Sequence, residues 1–134
     1  MWVKTGERFD TVAIMTDFKH TVTNLPEENE YPKLIRDKIP EIIKAHDGRD
    51  VQVETLSGEE FEKQLRRKMI EEASELAAAD TDDHLLEEIA DVQELIDEII
   101  EFKGYTHEQA KVVQDQKRDK RGGFKKRLLM LGNE

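Results

Sequence analysis

The sequence predicts an all-α fold, an antiparallel helical bundle, and three features carry that expectation. Apolar side chains recur every three to four residues through two stretches of about twenty residues, the period of a helix with one buried face. Seven glycines and three prolines are too few for the many turns of a β-rich chain of 134 residues. Ser, Thr and Asp stand just ahead of the periodic stretches and Gly just behind them, as helix caps do. The length suits one domain, because so short a chain has little room for two independent cores.

Residues 1–30 read as an N-terminal extension, and residues 31–134 as the helical domain. In the extension, Thr11 to Thr16 is rich in β-branched residues and fits a strand. Phe9, Val12, Phe18 and Val22 equally fit one side of an irregular helix, and Leu25 to Glu30 is a polar linker. The first bundle helix starts with Asp37 as N-cap, which puts Pro40 in the first turn, where its missing N–H is tolerated. Leu34, Ile35, Ile39, Ile42 and Ile43 supply its buried side; the helix ends at about Ala45 or His46, ahead of Gly48. Asp50 to Leu56 alternates apolar and polar residues, so it reads as a short extended piece.

A second helix, from about Gly58 to Ala79, opens with Ser57 and Glu60 at capping-box spacing and with Leu56 and Phe61 as a hydrophobic staple. The short polar link Asp80–Asp83 caps a third helix, from about Asp83 to Phe102, which stops at Gly104. So short a link makes the two long helices antiparallel neighbours. Thr106 and Gln109 form another capping box and open a fourth helix to about Lys117. Gly122 and Gly123 break the chain, and Phe124 to Leu131 closes it with one or two helical turns.

Composition excludes several kinds of chemistry. Without cysteine there is no disulfide framework, thiol nucleophile or Cys-ligated metal. No apolar run approaches the roughly 18 residues of a membrane span, and no signal peptide is legible, so the expectation is a soluble cytoplasmic protein with no membrane partner. With 21 Lys and Arg against 31 Asp and Glu, the net charge of −10 disfavours general nucleic-acid binding. The charge is nevertheless uneven. Residues 117–127 (KRDKRGGFKKR) hold seven basic residues and one acid, a local +6, which leaves −16 on the rest of the chain.

Helical geometry singles out four acids. At about 100° per residue from Phe61, the apolar arc of the second helix holds Leu65 at about 40°, Leu76 at about 60° and Met69 at about 80°. Glu72 falls inside it, at about 20°, with Lys68 and Glu75 on its flank and Glu71 further out. On the third helix, counted from Leu85, the stripe of Ile89, Val92, Ile96, Ile99 and Ile100 is bordered by Glu88 and Asp91. Each of two antiparallel helices thus carries two acids, three residues apart, on or beside its apolar face. Buried carboxylates demand compensation, from Lys68, from water or from a cation. An all-oxygen set suits Mg²⁺, or Mn²⁺, rather than zinc. The di-iron bundle pattern Glu-x-x-His is absent, and His46, His84 and His107 read as surface or capping residues.

Glu71-Glu72-Ala73-Ser74-Glu75, followed by Glu88-Ile89-Ala90-Asp91, resembles the E-E-x-x-E … E-x-x-D signature of the MazG-like all-α nucleotide pyrophosphohydrolases. The opening Leu34-Ile35-Arg36-Asp37-Lys38-Ile39-Pro40-Glu41 and the ending Lys120-Arg121-Gly122-Gly123-Phe124 are similar to those of its phosphoribosyl-ATP pyrophosphohydrolase-like subgroup. The likeness covers about residues 31–132. It implies hydrolysis of a nucleotide substrate between the α and β phosphates, with Mg²⁺ held by Glu72, Glu75, Glu88 and Asp91, and a homodimer or higher homo-oligomer. Glu71, or one of the four ligands, would orient or deprotonate the attacking water. Lys68 is a phosphate contact or a counter-ion. Lys117, Lys120, Arg121 and Lys125 are candidates for phosphate binding, and Arg36 and Lys38 could add to them. Phosphoribosyl-ATP is an alternative to non-canonical nucleoside triphosphates as substrate. A non-enzymatic helical dimer acting as an interaction module is the rival of another class; nucleic-acid binding through residues 117–127 is a weaker one.

Overall fold

The computed structural model describes residues 32–133. The extension of residues 1–30, with its strand-or-helix segment and linker, lies outside the described residues. Every regular element among those described is a helix: α1 (Ile39–Asp47), α2 (Gly58–Ala78), α3 (Asp82–Phe102) and α4 (His107–Arg121). The all-α bundle expected from the sequence is the fold observed.

α1 begins differently from the expectation. Lys38, not Asp37, is its N-cap, without a side-chain cap bond, and Pro40 sits in the first turn. Lys38 already has near-helical dihedrals, which leaves Asp37 one residue too early to cap. The turn is closed by the backbone: the Ile39 N–H donates to the Arg36 carbonyl (3.1 Å) and that of Ile42 to Lys38 (3.0 Å). Gly48 ends the helix in the left-handed region (φ 70°), and its N–H donates to the Lys44 carbonyl at 2.9 Å. Residues 50–56 are irregular, with no strand partner among the described residues.

The predicted capping box of α2 does not form. Ser57 is the N-cap but makes no side-chain cap bond. The Glu60 carboxylate instead accepts a hydrogen bond from Gln64 Nε2 (3.1 Å). Leu56 and Phe61 are both half-buried, as a staple requires. After α2 a three-residue link reverses the chain, and Thr81 Oγ1 caps α3 by accepting from the His84 N–H (3.2 Å). α3 closes in a Schellman motif: the Tyr105 N–H donates to Ile100 (3.0 Å) and that of Gly104 to Glu101 (3.1 Å), with Gly104 at φ 79°.

α4 carries the predicted capping box in full. Thr106 Oγ1 accepts from the Gln109 N–H (3.0 Å), and Gln109 Oε1 accepts from the Thr106 N–H (2.8 Å). The helix continues past Lys117 to Arg121, so half of the basic stretch is helical. Arg118, Lys120 and Arg121 lie in the last turn, where positive charge opposes the negative end of the helix dipole. The closing segment is not helical. Phe124 to Arg127 makes one turn (Arg127 N–H to Phe124 carbonyl, 3.1 Å) and residues 128–133 are irregular. All of them are exposed, so no packing supports a helix there.

By its contacts the chain divides within α3, between Leu95 and Ile96. In the first unit, Ile39 and Leu65 are buried, and Leu34, Ile35, Ile42, Ile43, Phe61, Met69, Leu76, Ile89 and Val92 are half-buried. In the second, Ile100 is buried and α4 buries nothing. Leu85 and Ile96, expected in the middle of the α3 stripe, are exposed. Periodicity gives the direction in which a side chain points, not whether another element covers it. No helix among the described residues is long and apolar enough to cross a membrane.

The two N-caps should respond differently to alanine. Thr106→Ala removes a formed cap and costs about 1 kcal/mol, read as roughly fivefold faster amide exchange in the first turn of α4. Ser57→Ala removes no cap bond and should cost only a few tenths of a kcal/mol in urea unfolding.

Candidate metal centre

The antiparallel arrangement of α2 and α3 brings together residues equally distant from the link at Asp80. Glu72 and Glu88 are such a pair, and both are buried, each only 4% exposed. With the half-buried Glu75 they place one carboxylate oxygen apiece within 4.8 Å of one another. Three of the four acids expected to bind metal therefore converge.

The fourth, Asp91, is held from the other side. Arg36, from the segment that leads into α1, donates through Nη2 to Asp91 Oδ1 at 2.6 Å. Fifty-five residues separate the two, so no local spacing could reveal the pair. The guanidinium is exposed and Asp91 half-buried, so the pair contributes little to stability by itself. Its effect is positional, since it engages the acid three residues after Glu88 on the same helix.

Lys68 and Glu71 form a second ion pair beside the cluster. Lys68 Nζ donates to Glu71 Oε2 at 2.9 Å, and the two side chains are 13% and 12% exposed. Glu71 is thus more buried than its position on the helical wheel suggests, because it folds back over one turn to meet Lys68. Lys68 acts as a counter-ion here.

Glu72 is pushed up from its ordinary 4.5 to about 7. Burial is the main cause; Lys68 opposes it, while Asp91, Glu88 and Glu71 reinforce it. An ionised carboxylate at this position costs several kcal/mol unless a positive charge approaches it. A proton or a cation relieves that cost.

The donor set fits a hard divalent ion. Two oxygens on opposite sides of Mg²⁺ stand about 4.2 Å apart, and about 5 Å on Ca²⁺. Glu72, Glu75 and Glu88, with ligand oxygens within 4.8 Å of one another, lie at spacings that Mg²⁺ can bridge. The donors are oxygens alone; His84 and His107 lie against Asp80 (3.7 Å) and Asp97 (2.9 Å) at exposed positions. Lys117, Lys120, Arg121 and Lys125 belong to the second unit, where all four are exposed.

Comparison with known proteins leaves the family open. No family model matches the chain, and no solved structure matches it. A protein of Mycolicibacterium smegmatis (strain ATCC 700084 / mc(2)155), described as uncharacterized, is 49% identical over 55 residues. The match spans 41% of this chain and 55% of that relative, about half the relative's length.

The shift at Glu72 fixes a sign for pH dependence. Between about pH 4.5 and 7 the folded chain keeps a proton that the unfolded chain releases. Stability therefore falls as pH rises through that window. Glu72→Gln carries no such titration. In buffer with chelator its advantage over the wild type should be small near pH 4.5 and approach about 3 kcal/mol above pH 7, read from urea midpoints. Glu101→Gln, at an exposed position of α3, should change neither. Lys68→Met leaves the half-buried Glu71 charge uncompensated and should cost about 3 kcal/mol. Arg66→Met breaks only the more exposed pair with Glu62 and should cost under about 1 kcal/mol in the same assay.

Proposed function

We propose that this chain is a Mg²⁺-dependent nucleotide pyrophosphohydrolase, which releases pyrophosphate and leaves a nucleoside monophosphate. The observation that carries the reading is the convergence of Glu72, Glu75 and Glu88 from two antiparallel helices. Buried like charges need compensation, and a divalent cation supplies it to all three at once. The same residues, with Asp91, are the signature acids of the MazG-like resemblance, and Arg36 belongs to its opening motif.

In this reading Glu72, Glu75 and Glu88 hold the ion, and Asp91 joins them when Arg36 releases it. Bound there, a divalent ion supplies charge neutralisation for phosphate oxygens and a water of lowered pKa. Lys68 holds Glu71 by charge and limits repulsion within the cluster. Glu71 accepts a proton from water only after leaving Lys68, so a cluster carboxylate is the simpler base. Arg36 is exposed and offers further N–H donors to a phosphate oxygen. Lys117, Lys120, Arg121 and Lys125 are the further candidates for phosphate binding that the resemblance implies.

A homodimer belongs to the same reading, because a second copy would cover apolar side chains such as Leu85 and Ile96. Substrate classes separate by assay. Canonical and modified nucleoside triphosphates and phosphoribosyl-ATP form the panel, with pyrophosphate and orthophosphate measured separately. The expected result is release of pyrophosphate from at least one of them, abolished by EDTA and reduced at least about a thousandfold by Glu72→Gln or Glu88→Gln. Orthophosphate alone, turnover that survives EDTA, or no turnover with any nucleotide would leave the non-enzymatic helical dimer as the better reading.

A further inference from the structure

Beyond α4 the chain passes Gly122 and Gly123 and continues as Phe124–Leu131 (FKKRLLML). Phe124, Leu128, Leu129, Met130 and Leu131 are 81–96% exposed. α4 itself has no buried residue, and its Val112 and Val113 face water. A helix of 15 residues with no packed face has little to sustain it in water. Contiguous exposed apolar side chains on this scale mark a surface that meets something else.

Charge indicates what that is. Residues 117–127 carry +6, with Lys125, Lys126 and Arg127 set among the apolar residues of the closing segment. Residues 32–95 hold 9 Lys and Arg against 18 Asp and Glu. In that acidic unit Ile70 of α2 and Leu85 of α3 are exposed, and Leu85 lies one turn from Asp82. Each chain therefore carries a basic apolar segment and an acidic body with apolar points that complement it. Two copies related by a two-fold axis can satisfy both at once in a closed assembly. Five side chains from each copy, with the surfaces they cover, remove roughly 1,200–2,400 Å² from water. That is the size of a specific interface.

We propose that Phe124–Leu131 of one chain docks on the acidic α2–α3 body of a second copy and holds the homodimer together. The proposal rests on the dimer of the functional reading and assigns its contact to a defined segment. An anionic bilayer would attract the same segment, but the −16 on the rest of the chain opposes that approach.

Sedimentation of the full chain over a wide concentration range tests it. The wild type should dimerise. Leu128→Asn with Leu131→Asn should raise the dissociation constant at least about tenfold. Lys126→Glu with Arg127→Glu should weaken it as well, by a factor that shrinks as salt is added. The far-ultraviolet circular dichroism of both variants should match the wild type, because none of these residues lies in a helix. A wild-type dimer that both variants leave unchanged overturns the role of the segment while the dimer stands. A wild-type monomer at every concentration overturns both, and co-flotation of that monomer with phosphatidylserine vesicles would give the segment to a lipid surface instead. Pyrophosphate release, scored separately, does not enter either result.

Discussion

The constraint on which the first unit depends is electrostatic. α2 and α3 are joined by a link of three residues, which obliges residues equally far from it to face one another. At the position where two apolar side chains would give the cheapest contact, the sequence has Glu72 and Glu88, both buried, with Glu75 at their side. Burial moves the Glu72 carboxyl to about 7, so a change of one proton or one cation alters the balance of the whole hairpin.

The surrounding charges follow from that constraint. Lys68 pairs with Glu71 on the α2 side, and Arg36 reaches from before α1 to Asp91 on α3. Lys68 also acts on the charge of Glu72 and opposes the upward push of burial. Glu72, Glu75 and Glu88 keep their mutual proximity, each with a carboxylate oxygen within 4.8 Å of the others.

Apolar packing is modest by comparison. Among the described residues, Ile39, Leu65 and Ile100 are the buried aliphatics, while Phe124 and Leu128 to Leu131 stand in water. The distribution of charge repeats that asymmetry, with acid concentrated in the hairpin and base in the last turn of α4 and the segment after it. A body with a net excess of acid and a basic apolar end thus occur on the same chain.

Helix number, order and approximate ends were legible in the sequence, because the 3.6-residue period, the Thr106–Gln109 box and the glycines at 48, 104 and 122 are local signals. So was the placing of Glu72 within, and of Glu88 beside, the apolar stripe of its helix, since a wheel position is fixed by spacing along one helix. Local competition was not legible: Gln64 takes the Glu60 carboxylate that the Ser57 box needed, and Lys38 displaces Asp37 as the cap. Nor was any property that depends on what lies opposite. The exposure of Leu85 and Ile96, the burial of the Lys68–Glu71 pair and the reach of Arg36 across 55 residues to Asp91 were decided in three dimensions. A helix's own residues set its period and its caps, whereas burial and long-range pairing are set by whichever surface the folded chain brings against it.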